Sequence, residues 1–210
     1  MPTFATPGPI AATVQVAGAQ VRVTASDRTD TVVLVECELH MASGQVQLDR
    51  IVALQASIAS GEVAIGHIAG RATIDGGAFA MRIGEVNGTV GFSNSGGQSW
   101  IGHAAADLDL SSGSCHFDID RADGSVTATT ASGAIRIGRM TNGQAKLTNG
   151  SGNIEVGVSG GTAASIDVNS ERGAAHNFVS SQGEPGASDA KVSVHARTRH
   201  GDITIQRAAS

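Results

Sequence analysis

The sequence predicts an all-β fold, a single-stranded parallel β-helix (β-solenoid) with about 18 residues per coil and roughly nine to ten coils. Three observations lead there. The second apolar residue of each short V-x-V-type pair falls at Leu48, Ile65, Ile83, Ile101, Ile119, Ile137 and Val156, at gaps of 17, 18, 18, 18, 18 and 19. A period this short, built of Val, Ile, Ala, Thr and Gly, suits strands stacked coil on coil and not helical hairpins. Next, the apolar positions of a coil step from the marked residue to the third residue after it. Alternation along a flat hairpin meander keeps one face at even offsets, so the odd step is a corner. Finally, the residue after the mark is Gly66, Gly84, Gly102, Gly138 or Gly157, with Asp49 and Asp120 as exceptions. Corners need positive φ or close backbone approach, which these residue types tolerate.

One domain, 1–210, is expected because the period runs through without a break in composition. Residues 1–35 form the N-terminal coil and cap, with Val21 and Val23 as the coil and Pro7 and Pro9 removing donors from the edge strand. The gap from Val23 to Leu48 is 25, so the surplus residues are placed around Val35 to Ala42, and 36–45 are expected to be irregular. Residues 46–179 form the regular coils. Their inward columns are Val46, Val63, Met81, Ser99, Phe117, Ile135 and Ile154 two before the mark, then Ile51, Ile68, Val86, Ala104, Ala122 and Met140 three after it. Two further columns begin with Ala72 and Ile74 and run through Val90 and Phe92, Leu108 and Leu110, Val126 and Ala128, to Ala145 and Leu147. Ala175 and Asn177 make a degenerate coil. Residues 180–189, with Gly183-Glu-Pro-Gly, read as a protruding loop, and 190–210 as the C-terminal coil, in which Ile203 and Ile205 form the last pair. A lone coil cannot stand, since each buried apolar side chain contributes at most roughly 1.5 to 3 kcal/mol whereas ordering costs roughly 1 to 2 kcal/mol per residue.

Composition narrows function. A net charge of -5 argues against holding nucleic acid by the net field. With 3% aromatic residues, no Tyr and one Trp, stacked bases have few platforms. No apolar run approaches the roughly 20 residues of a membrane span, and the N-terminus lacks the basic and long apolar regions of a secretory signal. A cytoplasmic protein is expected, with cell-surface association left open. Cys37 and Cys115 fall several coils apart, too far for a disulfide, so both are expected as free thiols filling the core.

The outward columns carry the candidate binding residues. One reads Arg50, His67, Glu85, His103, Arg121, Arg139; the other Gln47, Ala64, Arg82, Trp100, Asp118, Arg136, Glu155, Thr204. The plainer reading is a solvated wall whose charges pair across coils at little gain. The sharper one is a recognition surface of Trp100, His103, Arg121, Arg136 and Arg139 for an acidic protein partner or a glycan, with Arg121 and Arg139 suited to a carboxylate. Two histidines of the set His67, Glu85, His103 lie about 10 Å apart on the strand spacing, which excludes one zinc; no metal and no cofactor is expected. His195 and His200 read as surface histidines. Gly157-Val-Ser159-Gly-Gly161 matches G-x-S-x-G, but that motif needs a helix after the turn, so a glycine-rich corner is the better reading. Asn87-Gly-Thr and Asn149-Gly-Ser match the glycosylation pattern, which matters only in a secreted eukaryotic protein. Phosphate-loop, dinucleotide, zincin and calcium-repeat motifs are absent, and the chain is not expected to be an enzyme.

The pieces Ser60-Gly-Glu-Val-Ala-Ile-Gly66, Ser132-Gly-Ala-Ile-Arg-Ile-Gly138 and Ser151-Gly-Asn-Ile-Glu-Val-Gly157 carry a family resemblance, as do Trp100-Ile-Gly and the closing Ala196-Arg-Thr-Arg-His-Gly-Asp-Ile-Thr-Ile205. They resemble the bacterial adhesin-type family of β-strand repeats, domain of unknown function 4097. Phe4-Ala-Thr-Pro-Gly-Pro-Ile10 and Ala25-Ser-Asp-Arg-Thr-Asp-Thr-Val32 are similar to its actinobacterial branch. The resemblance covers nearly the whole chain and is weakest over 36–45. It implies a β-solenoid and supplies no catalytic residues, and fold-level analogy is a thin warrant for function. A non-enzymatic binding or scaffold protein, monomeric or a small oligomer, is therefore expected. The alternatives are a self-assembling element similar to the bactofilin solenoids and, third, a glycan-processing β-helix enzyme.

Overall fold

The computed structural model describes residues 10–23, 35–179 and 191–208. Each of the first six layers is one bent strand: β1 (Ile10–Val23), β2 (Val35–Ile51), β3 (Ala53–Ile68), β4 (Ala72–Val86), β5 (Val90–Ala104) and β6 (Leu108–Ala122). The later layers are split at their corners: β7 (Val126–Ser132) with β8 (Ile135–Met140), β9 (Gly143–Ser151) with β10 (Ile154–Val158), β11 (Ala163–Arg172) with β12 (Ala175–Asn177), and β13 (Lys191–His200) with β14 (Ile203–Arg207). Every pairing is parallel, and all strands belong to one coiled sheet. This is the expected solenoid of about 18 residues per coil, but with about seven regular turns where nine to ten were expected. The count falls because the layers at both ends leave the 18-residue spacing.

The marked residues lie in one line: Leu48 pairs with Ile65, then Ile83, Ile101, Ile119, Ile137 and Val156 in succession. The predicted inward columns flank them and are buried throughout. In β4 the buried Ala72, Ile74, Phe79, Met81, Ile83 and Val86 alternate with exposed Thr73, Asp75, Ala80 and Arg82, and the rhythm breaks only at corners. Inside the stack, Phe92 lies between Phe79 and Phe117, with ring centroids 5.6 and 6.0 Å apart in edge-to-face geometry. Cys37 and Cys115 are buried free thiols; burial is the dominant cause that pushes the Cys115 thiol up to about 11.

Two further inward columns carry little apolar signal. Seven residues before the mark stand Gly76, Asn94, Ser112, Thr130 and Asn149, which pair in sequence and continue to Thr198. Three of these side chains satisfy corner carbonyls: Asn94 donates to that of Gly96 at 2.7 Å, Thr130 to that of Ser132 at 2.8 Å, and Asn149 to that of Gly133 at 2.6 Å. Asn149 is buried, so its glycosylation pattern is a corner ladder residue. The other column, four before the mark, holds six of the eight positive-φ glycines among the described residues, including Gly97 at φ 127° and Gly133 at φ 128°, beside the buried Phe79 and Cys115. The glycines after the mark serve by close approach instead: a Cβ on Gly102 would lie 2.7 Å from the Gly84 carbonyl oxygen.

The structure revises three expectations of chain organisation. Residues 36–45 are not irregular; they lie within β2 and hold register with β3 from Glu36 opposite Ala53 onward. The β1 to β2 offset of 25 is constant from Ile10 opposite Val35 to Val23 opposite Leu48, so the surplus sits between Val23 and Val35 and not at Val35 to Ala42. The C-terminal coil is not last in the stack: β13 and β14 lie between β9/β10 on one side and β11/β12 on the other. The connection after Val158 therefore skips a layer, and Arg207 of the inserted coil fastens it by donating to the Ser159 and Thr162 carbonyls at 2.9 and 3.1 Å. Pro7 and Pro9 and the loop 180–189 lie outside the described residues.

Candidate functional site

The wall beside the marked column presents both outward ladders in the order read from the sequence. Arg50, His67, Glu85, His103, Arg121 and Arg139 stand opposite one another in turn, as do Gln47, Ala64, Arg82, Trp100, Asp118, Arg136, Glu155 and Thr204. Neighbours are held at the strand spacing of about 4.8 Å. The layer register, set by the buried apolar columns, thus positions every side chain of the wall.

Its charges are extensively cross-linked. Asp123, in the corner after β6, gathers three donors: Arg121 Nε at 2.9 and 3.2 Å, Thr141 Oγ1 at 2.6 Å and His103 Nε2 at 2.8 Å. Burial pushes its carboxyl up, but the hydrogen bonds from Arg121, Thr141 and His103 and the Arg121 charge outweigh this and hold it at about 2. Arg136 Nη1 donates to Asp118 at 2.7 Å and lies 3.8 Å from Asp120. His67 Nδ1 lies 3.3 Å from Glu85 Oε2, while His103 turns away to Asp123. Arg121 and Arg139 are neighbours, as a carboxylate clamp requires, but the Arg121 Nε edge is already held by Asp123.

The part of the wall around Trp100 differs. The Arg82 guanidinium lies over the Trp100 ring, 4.3 Å from its centroid. Beside this pair runs an open groove of about 440 Å³ whose lining includes Arg22, Gln47, Asp49, Ala64, Arg82 and Trp100. The groove exists because Ala64 is short between Gln47 and Arg82, and because Gly66 and Gly84 leave bare backbone next to it. Of its residues, only Trp100 belongs to the set chosen from the sequence. The missing signal was the smallness of Ala64 between long neighbours, which a search for charged ladders passes over.

Elsewhere, His195 and Arg197 both engage Asp167 of the end coil, at 2.9 and 2.7 Å, and His200 lies 3.2 Å from Arg172. Gly157 and Val158 end β10, and Ser159 to Gly161 lead to a strand and not a helix, with the Ser159 backbone bonded to the Met140 carbonyl. Among the described residues no group of His, Cys, Asp and Glu is placed to hold a metal ion, and no helix is long and apolar enough to cross a membrane.

A family model described as Toastrack DUF4097 matches residues 6–206. No match is found among curated proteins or among solved structures.

Proposed function

The chain belongs to the Toastrack DUF4097 family, a domain of unknown function, and from that premise we propose that it is a non-enzymatic, cytoplasmic binding scaffold that engages a protein or glycan partner through the wall around Trp100. The observation that carries this reading is the wall itself. Eight stacked outward residues from Gln47 to Thr204 hold fixed register, with an aromatic-arginine pair and an open groove at one end. A backbone held in register on both sides loses little entropy on binding, which favours a recognition surface. The test is affinity recovery from extract of the native host on immobilised wild-type protein beside a Trp100→Ala, Arg136→Ala variant. A partner held by the first and lost by the second supports the reading. Equal recovery on both columns, or none on either, defeats it.

The end layer favours a second reading, end-to-end self-assembly. The inward Ala164, Ile166 and Val168 are only half-buried there, and Phe178 is 65% exposed beside His176. An open parallel edge can template another chain. Sedimentation at rising concentration checks it, and a strictly monomeric particle removes it.

A further inference from the structure

We propose that the groove over Ala64 binds a linear glycan carrying carboxylates, such as a uronic-acid polysaccharide segment. This deepens the wall-binding reading and rests on it. Arg22, Gln47, Ala64, Arg82 and Trp100 are consecutive members of one column, so the groove runs along the stack axis. Arg22 and Arg82 stand three layers apart, about 14 Å at the strand spacing. Among the described residues neither arginine is salt-bridged to a carboxylate. They leave two guanidinium forks at opposite ends of a trough, each matched to a planar carboxylate.

Between the forks, the Gln47 amide offers both donors and an acceptor, and the Asp49 carboxylate offers acceptors. Asp49 would repel a polyanion that offers it no hydrogen-bond donor. Sugar hydroxyls, which donate as well as accept, give it a partner. An extended peptide fits less well. The wall backbone is bonded to the layers on both sides, so no strand edge is open for main-chain pairing. An amphipathic helix would find no large exposed apolar side chain to pack on there, since the one among the described residues is Phe178, at the far end. Nucleic acid is disfavoured because Arg82 covers one face of Trp100, the one aromatic side chain in the groove lining. Trp100 is thus a positioning residue: its ring holds the Arg82 guanidinium in the groove lining.

Trp100 is the only tryptophan, and there is no tyrosine, so its fluorescence reports on this groove alone. Tetragalacturonate titrated into the full-length protein is expected to give a saturable change that falls with added salt. Arg82→Gln should weaken binding about ten-fold or more, the loss of a charge-assisted hydrogen bond. Ala64→Phe should abolish it by filling the trough. Calorimetry should find Trp100→Ala weakened and Trp100→Phe largely restored. Neutral maltotetraose should give no change. The proposal is overturned if tetragalacturonate gives no saturable signal, if maltotetraose or a tetraglutamate peptide binds as tightly, or if Arg82→Gln binds like wild type. Should any of these occur while the affinity column still recovers a partner sensitive to Trp100 and Arg136, the glycan assignment fails and the wall-binding reading survives.

Discussion

The turns from β2 to β6 and the layers from β9 to β14 share one register but not one order. In the first region each coil lies on the one before it, and every inward apolar side chain is buried from both sides. In the second, the segment that follows β10 is pushed outward by one layer, and the C-terminal coil takes the place beneath it. Both segments fit the same template: Val194 stands opposite Ala145 and Ile166, and Ile203 opposite Ile154 and Ala175. The difference teaches that register is set column by column, whereas order is set by how much apolar surface each coil brings. The inserted coil carries Ile203 and Ile205 where the outer one carries Ala175 and Asn177. Burying an isoleucine on both sides stabilises by roughly 1.5 to 3 kcal/mol, and burying an unpaired Asn opposes folding. The richer coil therefore takes the enclosed position and the poorer one faces solvent.

The comparison breaks most severely at its centre. Ile101→Asp places a charge among fully buried neighbours and should cost more than about 4 kcal/mol, whereas Ile166→Asp in the half-buried end layer should cost about 1 kcal/mol. Urea denaturation of the two variants measures the contrast, and equal losses would remove the distinction between enclosed and outer layers. Val194→Asp comes next, at about 3 kcal/mol or more. Because β13 is bonded to β9 and to β11, this change should release the amides of β11 along with its own. Hydrogen exchange should then find β11 deprotected in Val194→Asp but β13 still protected in Ile166→Asp.

Backbone geometry gives a smaller effect. Gly133→Ala, at φ 128° and with a Cβ that would collide with the Cys115 carbonyl oxygen, should cost about 1 to 3 kcal/mol. Gly161→Ala, at φ 75° in the open crossing between β10 and β11, should cost about 1 kcal/mol. Thermal melts of the two would sharpen the comparison of packed corner and open crossing.

Acid titration gives the smallest. The folded Asp123 carboxyl lies near 2 against an ordinary value of 3.8, so its stabilisation is complete above about pH 4 and is lost as pH falls toward 2. Asp123→Asn should flatten the acid limb of stability over that window. Asp167 in the end layer is also held low, chiefly by the hydrogen bond from Arg197, but its side chain is more exposed than that of Asp123. Asp167→Asn should change the acid limb less, and the reverse ranking would contradict the view that the middle of the stack carries the stronger polar contacts.

Much of the wall was legible in the residues. Once the 18-residue spacing is taken as a coil, Trp100, His103, Arg121, Arg136 and Arg139 must share a face, because the strand spacing leaves no other placement. Their partners were not legible. Asp123 lies outside both ladders, in a corner, and reaches His103 across 20 residues of chain. The positive-φ column and the ladder of Asn94, Thr130 and Asn149 were also missed, since a pattern of apolar residues is silent where the interior is lined by small or polar ones.

The sequence by itself determined the parallel coil, its period and which side chains face in, because Val, Ile and Leu at a fixed spacing with an odd step at the corner are all buried only when the coils stack. Only the tertiary structure decided the order of the last layers and the pairing of the wall charges. Two segments of equal register compete for one template, and the choice between them depends on what each buries after docking. The corner that brings Asp123 to His103 likewise exists only once neighbouring coils have stacked.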